Sequence, residues 1–121
     1  MQFTFFTLSC RDIEAMAAWY RDVVGLEQNC DYGEFKGFIT PSGIFFNMVK
    51  RDGGLEYVQG VNGTMSIGLG VPNHAEVDIA YNRLIEGGAK PYKQSPKTDG
   101  VFRNAYVTDP EGNVICITGV E

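Results

Sequence analysis

Imidazole is nearly missing from this sequence. His74 is the only histidine among 121 residues, so no metal or acid–base centre built on several histidines is available. Positive charge is also scarce. Ten Lys and Arg stand against fifteen Asp and Glu, a formal charge of -5. That balance argues against nucleic acid or an anionic membrane as partner, since both need concentrated positive charge. No apolar run approaches the roughly 18–20 residues needed to cross a bilayer. The opening Met1-Gln2-Phe3-Thr4-Phe5-Phe6 lacks the basic region of a signal peptide, and acidic Asp12 and Glu14 follow. A cytoplasmic location is the expectation. Cysteine is limited to Cys10, Cys30 and Cys116, with no C-x-x-C spacing. An odd number cannot all pair within the chain, and buried free thiols are the plain reading.

What is present is ordinary globular material, 44% hydrophobic and 21% charged. Gln2–Ser9 reads as a strand. Asp12 is a suitable N-cap for a helix running to Val24, whose apolar stripe is Ile13, Met16, Tyr20 and Val23 or Val24, widened by Ala17 and Trp19. Gly25 can close it in the left-handed conformation. Strands follow near Glu27–Tyr32, Phe35–Thr40 and Ile44–Val49, separated by Gly33 and Pro41-Ser42-Gly43. Residues 51–63 read as a linker. The pattern then restarts with a strand over Thr64–Val71. Asn73 with Glu76 three residues on is a capping-box signature. Its helix carries Ile79, Leu84 and Ile85 and stops at Gly87-Gly88, and strands are expected at Ala89–Gln94, Phe102–Thr108 and Asn113–Thr118. The order strand, helix, three strands thus occurs twice, with Pro41-Ser42-Gly43 matching Pro110-Glu111-Gly112. The fold class is α+β, a single domain of two βαβββ modules (1–50 and 64–121). Such modules each expose an apolar sheet face that the pair can use to enclose a cavity.

Two segments carry a family likeness. Asp12-Ile13-Glu14-Ala15-Met16-Ala17-Ala18-Trp19-Tyr20-Arg21-Asp22-Val23-Val24-Gly25-Leu26 resembles the first helix and turn of the vicinal oxygen chelate superfamily, which contains glyoxalase I, bleomycin-resistance proteins and extradiol dioxygenases. Asp109-Pro110-Glu111-Gly112-Asn113-Val114-Ile115-Cys116-Ile117 resembles its last hairpin, and Gly88-Ala89-Lys90 its second helix exit. The resemblance implies a curved mixed sheet forming a cup, and commonly a homodimer. Enzymes of that superfamily hold a divalent metal with His, Gln or Glu on the first and last strands of each module. Carried over by register, those places are Phe5, Asn47, Ser66 and Cys116. None is a histidine or carboxylate. A phenyl ring has no lone pair, and Ser and Asn are weak neutral ligands. One thiolate falls short of the three protein ligands usual in a catalytic zinc site. His74, at a helix start, reads as a surface or capping residue.

The sequence therefore reads as a metal-independent small-molecule-binding protein of the glyoxalase/bleomycin-resistance type, leaning away from an enzyme, with no cofactor. Its partners would be a small, partly apolar molecule and a second copy of the chain. The expected pocket lining is Phe5, Thr7, Asn47, Met65, Ser66, Gly68, Tyr106 and Cys116, if strand alternation turns them inward. Gly68 and Gly70 favour close approach of a ligand because they add no side-chain volume. The same residues are also compatible with simple core packing. The alternatives are a lyase, isomerase or dioxygenase of the superfamily, and a dimeric structural or interaction protein with a vestigial pocket. Cys116 has no evident base in the sequence to activate it.

Overall fold

A computed structural model of the chain describes residues 1–51 and 65–121. The expected linker, 51–63, lies outside the described residues except for Arg51, as does Thr64. Contacts divide the chain into two compact units, Met1–Gly60 and Val61–Glu121.

In the first unit β1 (Phe5–Cys10) leads into α1 (Ile13–Trp19), a single π-helical turn over Tyr20–Val24, and then β2 (Glu27–Asp31), β3 (Phe35–Ile39) and β4 (Phe45–Lys50). The sheet order is β1-β4-β3-β2. β1 is parallel to β4 and the other pairs are antiparallel. The helix starts where expected because the Asp12 Oδ1 accepts from the Ala15 N–H at 3.0 Å, satisfying one donor of the first turn. It ends on Gly25 at φ 89°. The stripe buries Ile13, Met16, Ala17, Trp19 and Tyr20. Tyr20 meets Phe46 of β4 edge-on at 5.0 Å, and Phe46 packs on Phe38 of β3 at 5.8 Å. Burying each of these rings contributes about 1.5–3 kcal/mol. Lys36 is also enclosed on this side. Its ammonium lies 2.9 Å from Glu14 of α1 and 2.7 Å from Asp31 of β2, so the buried charge is fully paired.

The second unit contains β5 (Ser66–Val71), α2 (His74–Glu86), β6 (Lys90–Pro91), β7 (Lys97–Asp99), β8 (Phe102–Thr108) and β9 (Val114–Val120). The order is β5-β9-β8-β6, with β7 also on β8. The Asn73 Oδ1 caps α2 by accepting from the Glu76 N–H at 3.0 Å. Val77 and Leu84 face the sheet. Ile79 does not: it is 59% exposed, because the seven-residue step from Val77 to Leu84 fixes the inner face and turns position 79 away from it. Gly119 permits the close seating of α2, since a Cβ there would lie 2.5 Å from the Asn73 carbonyl oxygen. Of the strand expected over Ala89–Gln94 only Lys90–Pro91 forms, as β6, and a further short strand not expected from the sequence, β7, follows at Lys97–Asp99. Lys93 takes a left-handed φ of 58°, which ends β6, and β7 begins four residues later.

The two units repeat one register. Phe5 pairs with Phe45 and Thr7 with Asn47, and Ser66 pairs with Val114 and Gly68 with Cys116. The matched hairpins each place a glycine at positive φ, Gly43 at 85° and Gly112 at 87°. In the second, Asp109 is buried. Its carboxylate accepts from the Glu111 and Asn113 N–H groups, both at 2.9 Å, and from the Asn113 side chain. The Asp-Pro-x-Gly-Asn run is thus a hairpin clamp that fixes where β9 begins. Among the described residues, no helix is long and apolar enough to cross a membrane.

Candidate functional site: the sheet faces turned away from the helices

Strand alternation gives each sheet a helix-covered face and an uncovered one. In the first unit the uncovered face carries Phe5, Thr7, Asn47 and Gly37, because these are cross-strand partners or lie two residues from one. Phe5, Phe45 and Ile39 form a row across β1, β4 and β3, and are 56%, 39% and 38% exposed. Asn47 sits one row further in, against bare Gly37. A Cβ on Gly37 would lie 2.8 Å from the Cys30 sulfur, 3.0 Å from Asn29 Oδ1 and 3.3 Å from Asn47 Oδ1. The bulge in β2 between Gln28 and Cys30 is what brings Cys30 opposite Gly37. The result is an apolar rim beside a polar centre made of amides and one thiol.

The uncovered face of the second unit is built differently. Ser66, Gly68 and Gly70 of β5 are exposed, and nothing lies within 4 Å of a Cβ placed on either glycine. Beside this bare strip stand Cys116 and Thr118 of β9, then Tyr106 and Asn104 of β8. The Tyr106 hydroxyl donates toward the Cys116 sulfur, which holds the phenol above its ordinary range. The Lys93 ammonium lies 4.8 Å from the Tyr106 ring centre and 5.8 Å from that of Tyr92. The loop that carries it is pinned to β8. The Tyr106 N–H donates to Ser95 Oγ at 2.9 Å, and the Tyr92 N–H donates to the Tyr106 carbonyl at 3.0 Å. Left-handed backbone at a residue with a Cβ costs about 1–2 kcal/mol, and such outliers concentrate at functional sites.

Of the residues expected to line a pocket, the structure thus brings Phe5, Thr7 and Asn47 onto one uncovered face and Ser66, Gly68, Tyr106 and Cys116 onto the other. Met65 lies just before β5 and is 75% exposed. Sequence reasoning passed over Lys93, Tyr92, Asn104 and Thr118. The alternating pattern of β8 and β9 was a usable signal for Asn104 and Thr118, whereas nothing local marks the turn that swings Lys93 over Tyr106. The first unit also has a groove of about 410 Å³ among Arg11, Asp12, Glu14, Glu34 and Lys50. None of the expected residues lines it, and its mixed charges, with Lys50 4.0 Å from Glu34, suit a solvated surface.

His74 has a structural part at the start of α2. Its Nδ1 lies 2.8 Å from the Glu121 carboxylate and its Nε2 2.8 Å from the Val101 carbonyl, so it ties the end of β9 and the β7–β8 turn to α2. All three cysteines are free, with Cys10 buried and Cys30 and Cys116 half-buried.

The donor set does not fit a divalent metal. The two strand positions of the first unit offer a phenyl ring and an amide, and those of the second a hydroxyl and a thiol. Among the described residues, no group of three or more His, Cys, Asp or Glu is arranged to hold a metal.

Comparison with known proteins agrees with this architecture. Solved structures with the same fold include a glyoxalase/bleomycin resistance protein/dioxygenase family enzyme from Burkholderia phytofirmans PsJN, 22% identical, with a TM-score of 0.84 and all of both chains covered. A protein from Agrobacterium tumefaciens solved by NMR is 17% identical, with a TM-score of 0.85 over 100% of this chain and 99% of that one. A fosfomycin resistance protein from Listeria monocytogenes, complexed with Mn(II) and sulfate, is 16% identical, with a TM-score of 0.77 over 100% and 90% of the two chains. No curated protein matches the chain. The family described as Glyoxalase-like domain matches residues 5–118, nearly the whole sequence, and the chain belongs to that family, within the glyoxalase/bleomycin-resistance superfamily.

Proposed function

We propose that this protein binds a small, partly apolar molecule against an uncovered sheet face, and that it does so without a divalent metal at the four strand positions. The observation that carries this reading is the chemistry of those positions. Phe5 and Asn47 share one face, as do Ser66 and Cys116, yet neither pair offers a histidine or a carboxylate. A metal would exchange its hydration shell for an aromatic ring and neutral or single-thiol neighbours. In the first unit the exposed row Phe5, Phe45 and Ile39 supplies apolar contact beside the Asn47 amide, and in the second Tyr106 and Thr118 supply hydrogen-bonding groups beside the bare glycines of β5; each face by itself has the mixture that small-molecule sites use.

Metal-dependent lyase, isomerase or dioxygenase chemistry of the superfamily is the competing reading, and the donor set weighs against it. A homodimer and a cytoplasmic location belong to the proposal. The open strand edges and the exposed Phe3, Phe5 and Phe45 favour a symmetric partner, and three free thiols suit a reducing compartment. Light scattering should give twice the chain mass.

The test is a ligand screen read by protein NMR in the presence and absence of a chelator. Binding that shifts resonances of β1 and β4, or of β5 and β9, to the same extent in both conditions is the expected result. Ligands that bind only when a divalent ion is added would refute the metal-free reading.

A further inference from the structure

The second sheet places three lysines along one edge of its uncovered face. Lys90 of β6 pairs with Thr108, and Lys97 of β7 pairs with Asn104. Cross-strand partners share a face, and Thr108 and Asn104 flank Tyr106 on the uncovered side. Lys93, between them in sequence, lies over the Tyr106 ring. None of the three has a carboxylate partner among the described residues. Arg103, by contrast, points to the helix side, where Asp78 takes its charge at 2.7 Å. The one acid in the neighbouring row is Asp99, opposite Phe102, and it forms no ion pair with Lys97 within 4.0 Å. In a chain of net charge -5, three uncompensated cations on one strand edge are an exception to the general field.

Across the sheet from that edge lies the strip of Gly68 and Gly70, open to contact with nothing within 4 Å. The row from edge to strip runs Lys93 over Tyr106, then Cys116, then Gly68. The neighbouring row runs Lys97, Asn104, Thr118, Gly70. Each row grades from cation through hydrogen-bonding side chains to bare backbone. We propose that this face selects a small planar organic acid, whose carboxylate lies toward Lys93 with Lys90 and Lys97 beside it, and whose flat body lies on the Gly68–Gly70 strip. A flat body suits the strip because, with no side chain projecting at Gly68 or Gly70, a planar face can lie against the backbone along its whole length. An acid suits the edge because Tyr106 and Tyr92 hold the Lys93 charge in place without neutralising it. Three cations are few for a nucleic acid or other polyanion, and the acidic remainder of the chain would repel one.

This inference rests on the small-molecule reading and narrows its ligand class. Its test uses matched probes on the full-length protein: planar aromatic acids such as 2-naphthoate, each paired with its uncharged amide, titrated by calorimetry and mapped by NMR. The acids should bind more tightly than their amides and shift the Gly68, Gly70, Tyr106 and Thr118 resonances. Lys93→Met should weaken the acids about threefold, and the triple change at Lys90, Lys93 and Lys97 about tenfold, as expected for exposed charge pairs. The amides should be unaffected, and so should acid binding in Lys50→Met, which removes one positive charge from the other unit. Equal binding of acids and amides, or acid binding indifferent to Lys93→Met, overturns the anion assignment alone. Binding only to heparin or an oligonucleotide also overturns it, in favour of a polyanion. Failure of every acid and every amide to bind overturns both this inference and the small-molecule reading beneath it.

Discussion

Replacing Gly68 by valine should raise stability and weaken binding together. The new Cβ meets no atom within 4 Å, so the folded state accepts it without strain. Glycine inside a strand costs roughly 0.5–1 kcal/mol relative to alanine, and β-branched residues suit a pleated surface. A gain of about 1 kcal/mol is expected. With an unfolding entropy of about 2.1 cal/mol/K per residue over 121 residues, that corresponds to a rise in Tm of about 4 °C. Binding should move the other way. A flat ligand lying on the strip loses on the order of ten atom contacts when two methyl groups lift it from the backbone. At about 0.1–0.2 kcal/mol each, the loss is 1–2 kcal/mol, or roughly tenfold in Kd. Scanning calorimetry gives the first quantity and titration with 2-naphthoate the second. A Gly68→Val protein that is less stable, or that binds as tightly as the parent, would refute the reasoning, because it would mean that the strip is packed against something or that no ligand uses it.

Other glycines should behave oppositely. Gly37→Ala should cost about 1–2 kcal/mol by overpacking, since its Cβ would press on the Cys30 sulfur and two amide oxygens. Gly119→Ala should cost about 2–3 kcal/mol because the obstacle is the backbone of Asn73; denaturant unfolding would check both. Asp109→Ala should cost about 2–4 kcal/mol, since it strips the acceptor from several hairpin donors at once. The Lys36 ammonium holds the Asp31 carboxyl below its ordinary range, with help from the Gly33 N–H. Because the folded value is the lower one, this contribution is present above about pH 4 and is lost as pH falls through the lowered value. Lys36→Met should therefore flatten the acid limb of the stability curve, and an unchanged limb would count against that pairing. Lys36 itself is raised, first by its hydrogen bond to Asp31, so its share is present up to the ordinary lysine range and fades only at higher pH.

Most of the fold was legible because its signals are local. The Asp12 and Asn73 caps, the glycine stops and the two matched hairpins each name their element within a few residues. Which face of α2 turns inward was not legible from Ile79, because one apolar residue among polar neighbours does not decide a helix's phase. Val77 and Leu84, two turns apart, do. The early end of the expected strand at Pro91 was hidden as well, since a lysine at positive φ has no sequence signature. The positions Phe5, Asn47, Ser66 and Cys116 came from the superfamily's pattern carried over by register, and period-two alternation puts Phe5 with Asn47 and Ser66 with Cys116 on one face each. The lysine edge was not legible, because it depends on which residues of β6 and β7 pair with β8, and that pairing is set by the loop between them.

The most direct test of the metal-free claim is elemental analysis of the purified natural protein, followed by ligand titration before and after chelation. The account predicts no stoichiometric zinc, iron, manganese or nickel and the same Kd on both sides of chelator treatment. About one such ion per chain, with binding or a defined activity lost on its removal and restored on its return, would contradict it.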